Sequence, residues 1–318
     1  MPEALQINNL PTPKVEEWKF TNLPRVLPAN LNQAQEQEVV IHKSRGEICE
    51  QAEDILFIGK GNEHSQPRLK ATLEDNAELT IIERQTGEGA YWKNMVSEIV
   101  LGSNAKLHHI RINQDSDQGV QTNMVHITAA QDAVYNGFSL NIGGKLTRHE
   151  IHAEIQGRGA EVSFNGANLL KGNQHGDTTI LIEHQAPNCQ SNQFYRTLLD
   201  DKARGVFQGK VHVHQEAQKT DGYQLSNALL LSKDAEMDTK PELEICADDV
   251  KCSHGATTGQ LDEEPLFYLR QRGLSEAQAR LLLVQAFVDE AVDKVTDETI
   301  REEILSITNT WLENALKG

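Results

Sequence analysis

Between Val39 and Cys252 the chain breaks into a long series of short apolar runs, and this series limits the possible folds more than any other feature. VVIHK, ILFIGKG, LTIIER, KLHHIRI, MVHITAA, HEIHAEI, AEVSFNGANLL, TTILIEH, GVFQGKVHVHQ, NALLLS and ELEICADDVKC follow one another in that order. Most alternate apolar and polar residues, the period of two that places successive side chains on opposite faces of a strand. Turn-forming groups separate them: Gly102-Ser103-Asn104, Gly143-Gly144, Gly157-Arg158-Gly159, Gly172-Asn173, Ala186-Pro187-Asn188 and Asp221-Gly222. No helical stretch intervenes, so this is an all-β unit. The pattern allows a jelly roll, a large sandwich or a solenoid, and no strict repeat chooses between them. Aromatic residues are only 5% of the chain and hydrophobic residues 38%. The core must come from aliphatic side chains on many short strands, which suits a solenoid better than a compact sandwich.

Both ends read differently. Asp262 can cap a helix carrying Leu266, Phe267 and Leu269, which ends at Gly273, where a left-handed cap is easy. Ser275 and Gln278 form a capping box for a second helix through Leu281, Leu282, Val284 and Phe287, to about Val288 or on past Val295. Asp297 starts a third, with Ile300, Ile304, Ile307, Trp311 and Leu312 on one stripe. So small an appendage cannot bury every apolar residue against itself, so some should serve as a docking surface. Near the N-terminus, Val15, Trp18, Phe20 and Leu23 predict a turn or two of helix, with Trp18 as a structural anchor. Residues 31–38 read as a polar linker. The expected organisation is an N-terminal helical or extended segment over 1–30, a β core over 31–257 and a C-terminal helical domain over 258–318. At 318 residues the chain can bury about three quarters of its unfolded surface without staples.

A net charge of −17 argues against nucleic acid or an anionic membrane as the main partner. The sequence has no apolar run long enough to span a bilayer and no secretory signal pattern at its start. Four scattered cysteines (Cys49, Cys189, Cys246 and Cys252) read as reduced thiols of a cytoplasmic protein. Neither GxxxxGK[ST] nor a strand-linked GxGxxG is present, so no nucleotide is expected on this chain, and it is not expected to be an ATPase.

The most specific chemistry lies where strands give way to helices, in DDVKCSHGAT. Cys252 and His254 are two apart, so an extended strand projects both to one side. A thiolate and an imidazole suit iron, zinc or copper; a buried Cys beside a hydrogen-bonded His is the plainer reading. Cys246 falls on the same face of a continuous strand, about 20 Å away, too far to share an ion unless the chain turns back between them, and Asp248 and Asp249 read as turn or surface acids. His212 and His214 share a strand face, His149 and His152 face opposite ways, and His108 and His109 cannot converge. All of these read as surface or hydrogen-bonded histidines. Two donors do not complete a metal sphere, so iron or a cluster held by Cys252 and His254 would need ligands from a second subunit.

KCSHGAT, AQKTDGYQLSNALLLS, DTKPELEI, QLDEEPLFYLRQRGLSEAQARLLLVQAF and the N-terminal EEWKFTNL together resemble the SufB/SufD family of iron–sulfur cluster assembly scaffolds, its SufD branch in particular. The resemblance implies a mainly β protein with a right-handed parallel β-helix core. It implies a non-catalytic scaffold of the SUF machinery that pairs with a SufB-type subunit, or with itself in isolation. It also implies a transient iron or iron–sulfur cluster shared across that interface at Cys252 and His254. A SufC-type ABC ATPase would dock on the C-terminal helices, by position around Leu266, Phe267, Leu269, Leu281, Leu282 and Phe287. The rival readings are a β-helix enzyme acting on polysaccharide and a metal-free homodimeric structural protein.

Overall fold

The computed structural model describes residues 3–34 and 36–315. Among them are strands β1 (Asn32–Gln33), β2 (Glu38–Lys43), β3 (Glu53–Lys60), β4 (Glu63–Ser65), β5 (Arg68–Leu73), β6 (Glu78–Glu88), β7 (Trp92–Leu101), β8 (Lys106–Gln114) and β9 (Val120–Ala129). They continue with β10 (Val134–Asn141), β11 (Leu146–Ile155), β12 (Glu161–Leu170), β13 (His175–His184), β14 (Gln190–Leu199), β15 (Arg204–Val213), β16 (Asp221–Leu230), β17 (Glu236–Ile245) and β18 (Lys251–Gly259). From β6 onward the strands alternate between two sheets. One runs β7-β9-β11-β13-β15-β17 and the other β6-β8-β10-β12-β14-β16-β18, every pair parallel. This is a parallel β-solenoid of about eight turns.

Register explains why no repeat is visible in the sequence. Lys106, Val134, Glu161, Gln190, Asp221 and Lys251 stand one above another, in steps of 28, 27, 29, 31 and 30 residues. What does recur is a corner residue with left-handed backbone: Asn76, Asn104, Asp132, Gly159, Asn188 and Lys219, with φ from 55° to 77°. Each corner amide donates to a carbonyl of the next turn, as from Asn104 to Gln131 at 2.9 Å and from Asp132 to Arg158 at 2.9 Å. Asn, Asp and Gly tolerate this conformation far better than other residues, which is why they punctuate the sequence.

Alternate side chains point inward. Ile81, Leu107, Val125, Ile127, Ile151, Val162, Phe164 and Ile182 form the continuous interior. Midway along, the interior turns polar. Glu83 accepts from Arg111 Nε at 3.0 Å, and Lys93 Nζ lies 2.7 Å from Asp115, all fully or almost fully buried. Burial pushes the Glu83 carboxyl up, but His109 and Arg111 outweigh it and hold it at about 2. Pairing of this quality is what makes a buried charge tolerable.

Each outer face has its own cover. The helices α2 (Glu263–Gln271), α3 (Glu276–Val292) and α4 (Glu298–Ala315) follow β18. The sequence caps act as expected: Asp262 accepts from the Glu264 amide at 3.0 Å, Gly273 sits at φ 97°, and Ser275 with Gln278 closes a capping box. The Asp297 carboxylate accepts from the Ile300 amide at 2.9 Å. Val284, Val288, Val292, Ile304 and Leu312 pack on Ile110, Phe138, Leu140, Leu169 and Leu198 of one sheet. Full burial of each such side chain is worth about 1.5–3 kcal/mol. Arg196–Glu290 and Arg84–Glu303 ion pairs tie the helices to the strands.

The N-terminal segment straps the other sheet. A 3-10 turn (Glu16–Trp18) precedes α1 (Leu23–Val26), and Trp18 and Leu23 bury against Trp92, Val120 and Leu146. The Arg148 guanidinium stacks over Trp18 at 4.1 Å. Thr21 donates to Asp177 and lies 3.3 Å from His175 Nε2. Residues 31–38, expected as a linker, contain β1 and the start of β2 because their backbone can pair with β4 and β5.

Asn104 is exposed, so Asn104→Val should cost roughly 1–2 kcal/mol from the left-handed backbone alone, while Asn104→Gly should be near neutral. Urea unfolding of the two variants checks this. Burial drives His175 down to about 4, against the opposing pull of Asp177. The unfolded chain therefore binds a proton here near pH 6.5 that the folded chain refuses until about pH 4. Stability should fall as pH drops through that window, and His175→Gln should flatten part of the decline in urea midpoint against pH.

Candidate functional site

The last turn of the solenoid determines the setting of Cys252 and His254. A single strand from Glu242 to Cys252 was the expectation. The structure instead divides this stretch into the end of β17 and the start of β18, separated by a corner at residues 246–250. The consecutive acids Asp248 and Asp249 lie in that corner, and the Lys219 amide donates to Asp249 O. Cys246 and Cys252 therefore belong to different sheets, and the shared face inferred for them does not exist. Cys246 is exposed just beyond β17, its amide donating to Val213 O at 2.8 Å.

Cys252 and His254 do share a face of β18, and it is the interior one. In register beneath Cys252 lie Gly222, Ser191, Val162, Tyr135 and Leu107; beneath His254 lie Gln224, Gln193, Phe164, Gly137 and His109. Cys252 is half-buried against Val211, Val213, Ala217 and Ala247, whereas His254 is exposed. The reason is positional. β18 ends its sheet, so no further turn covers what would otherwise be core. Gly222 makes room for the thiol: a Cβ there would stand 3.3 Å from Cys252 Sγ.

The columns change character toward this end. Tyr135 and Val162 give way to Ser191 and Gly222, and Phe164 to Gln193 and Gln224. Gln224 Nε2 donates to Gln193 Oε1 at 3.0 Å, and His184 Nε2 contacts Ser191 Oγ at 2.8 Å. Gln224 Oε1, Gln193 Nε2, Ser226 Oγ and His184 Nδ1 are buried without a protein partner, the condition that water or a polar ligand relieves. Sequence spacing missed this polar shaft, since its members lie about thirty residues apart and fall into line only through the register.

Burial pushes the Cys252 thiol up, and Asp221 adds to the rise against the Gly222 backbone hydrogen bond. At neutral pH the free thiol keeps its proton, and a metal or a neighbouring cation must displace it before sulfur becomes a ligand. The pair thus offers two donors at the edge of an unfinished sheet, one of them protonated when free.

The other edge strand, β17, ends the second sheet, and both leave a row of backbone groups unpaired. Tyr223 and Ile245 add exposed apolar surface on β16 and β17. On the helices, Leu266 is buried and Leu269, Leu281 and Phe287 are partly buried, Leu281 and Phe287 packing against the helix–sheet core. Phe267, Tyr268 and Leu282 remain exposed at 64, 57 and 46%. Of the six helical residues predicted for docking, only Phe267 and Leu282 are exposed, with Tyr268 as an unforeseen third. None of the helices is long and apolar enough to cross a membrane among the described residues.

The family model of the SUF system FeS cluster assembly SufBD core domain matches residues 56–287, from β3 through most of α3. The chain belongs to the SufBD family. It is 40% identical over 240 residues to an iron–sulfur cluster assembly SufBD family protein of Synechocystis, covering 72% of this chain and 53% of that one. It is 36% identical over 236 residues to the iron–sulfur cluster assembly protein SufD of Escherichia coli, covering 74% and 56%. A chloroplastic protein of Arabidopsis thaliana is 33% identical over 245 residues, 75% and 51% of the two chains. The chain thus spans about half the length of these SufBD relatives.

Removing the half-buried thiol should be mild for folding. Cys252→Ser should leave the unfolding free energy from urea titration within about 1 kcal/mol of wild type, because the site is partly open and Gly222 already leaves space. A cooperative loss of several kcal/mol would instead mark Cys252 as a core residue.

Proposed function

We propose that the chain is a SufD-type, non-catalytic scaffold subunit of a cytoplasmic SUF iron–sulfur assembly complex. In this reading, Cys252 and His254 supply half of the coordination sphere of iron or a nascent cluster, which is cargo and must leave. The observation that carries it is the uncovered end of the solenoid: a thiol and an imidazole face inward on β18 with no turn above them.

A SufB-type partner with a similar solenoid end would supply the remaining ligands. Edge strands with unpaired amides and carbonyls favour association through strand pairing. The open ends of β17 and β18 therefore suit such a partner, and in its absence they suit a second copy of this chain. Ligands divided between two chains suit a labile cluster, because separating the halves weakens the site. Family membership favours assembly over polysaccharide cleavage.

Docking of a SufC-type ATPase is assigned to the exposed face of α2 and α3 around Phe267, Tyr268 and Leu282. These three are large and solvent-facing, whereas Leu281, Val284, Phe287 and Val288 of α3 are committed to the helix–sheet core.

When the chain is coexpressed with SufB- and SufC-type proteins, His254→Ala should lower the iron and labile sulfide of the purified complex severalfold and leave its subunit ratio unchanged. Full cluster content in that variant would remove His254 from the site. The double variant Phe267→Glu/Leu282→Glu should lose the ATPase from the complex while keeping its thermal unfolding. Retention of the ATPase would place the docking surface elsewhere.

A further inference from the structure

A second set of metal-binding groups lies on the opposite sheet from β18, on an outer face that the N-terminal strap leaves uncovered. Glu183 near the end of β13, His212 in β15 and His214 just after it turn outward, opposite to Ile182, Val211 and Val213. Register sets Glu183 beside His212 on adjacent turns. Glu183 Oε1 lies 3.5 Å from His212 Nδ1 and 3.7 Å from His214 Nε2, and the three ligand atoms fall within 4.8 Å of one another.

These separations are too long for good hydrogen bonds, which run about 2.7–3.2 Å. They are close to the spacing of donors around a shared ion: bonds of about 2.0–2.2 Å in a tetrahedron set neighbouring donors about 3.3–3.6 Å apart. His214 Nε2 is buried and has no hydrogen-bond partner, so a nitrogen lone pair or N–H is left facing the carboxylate. The two imidazoles lie with centroids 4.3 Å apart and planes tilted by 33°, too close for two imidazolium cations to sit comfortably and compatible with two neutral ligands.

The carboxylate is also held in place. His152 Nε2, one turn back, bonds Glu183 Oε2 at 2.9 Å and so turns Oε1 toward the two histidines. Burial pushes the Glu183 carboxyl up, yet contacts from His152 and His212 bring it below the ordinary carboxylate range. The groups are 23 to 36% exposed, open enough for exchange with solvent.

We propose that Glu183, His212 and His214 bind one borderline divalent transition ion, of the class that includes Fe2+, Co2+ and Zn2+, with His152 as the positioning residue behind the carboxylate. Two imidazole nitrogens and one carboxylate oxygen select this class over Mg2+ or Ca2+, and water fills the remaining positions.

The site does not depend on the scaffold reading, and the test keeps the two apart. Anaerobic titration with Co2+ is made in the Cys252→Ser/His254→Ala background, followed by visible absorption and calorimetry. The expected result is one ion per chain, with nitrogen–oxygen ligand-field bands and no thiolate charge-transfer band. Adding His212→Ala or His214→Ala should weaken binding by at least about 10–100-fold, and His152→Ala by about 10-fold. Zn2+ should compete and Mg2+ should not. Thermal unfolding without metal checks that each variant is folded, and His214→Gln serves if His214→Ala is not. Failure of the background chain to bind Co2+, or binding unchanged by the His212 and His214 substitutions, would overturn the proposal.

Discussion

In-register parallel stacking is the constraint on which the rest of this molecule depends. Each turn supplies the backbone partners of the next, so pairing can be satisfied everywhere except at the end strands of each sheet. The stacking also aligns side chains about thirty residues apart in columns with the strand spacing of about 4.8 Å. Local contacts within a turn contribute little to that alignment. The left-handed corners at Asn76, Asn104, Asp132, Gly159 and Asn188 keep successive turns in phase despite their unequal lengths.

One consequence is a solenoid whose interior is not uniformly apolar. The column that begins at Glu83 passes through Arg111, Ser139, Gly166, Tyr195 and Ser226 to Ala256. Charges near its start are neutralised by partners on adjacent turns, while polar atoms near its end are left unpaired. The first arrangement stabilises position and register. The second, together with Gln193 and Gln224 in the column beneath His254, places hydrogen-bonding capacity where the interior meets the outside.

Covering is equally asymmetric. Helices α3 and α4 protect one sheet with aliphatic contacts, and the N-terminal strap protects part of the other through Trp18, Leu23 and Thr21. What remains bare on the second sheet includes the histidine and glutamate row. What remains bare on the helices is Phe267, Tyr268 and Leu282. The proposed chemistry and association thus fall to the surfaces that neither terminus covers.

Much of this was legible in the residues themselves. Period-two runs and Asn/Gly corners gave strands, Asp262, Ser275 and Asp297 marked helix starts, and the i, i+2 spacing put Cys252 and His254 on one side. These are local properties, fixed by backbone conformation within a few residues. Stacking decided the remainder. The Ala247–Val250 corner separated Cys246 from Cys252, a distinction that alternation alone could not make because an aspartate pair fits a strand face or a turn. The same stacking set His212 and His214 against Glu183, and left the inward face of β18 open. Such contacts join residues a whole turn apart, and turns of 26 to 32 residues carry no fixed spacing from which to read them.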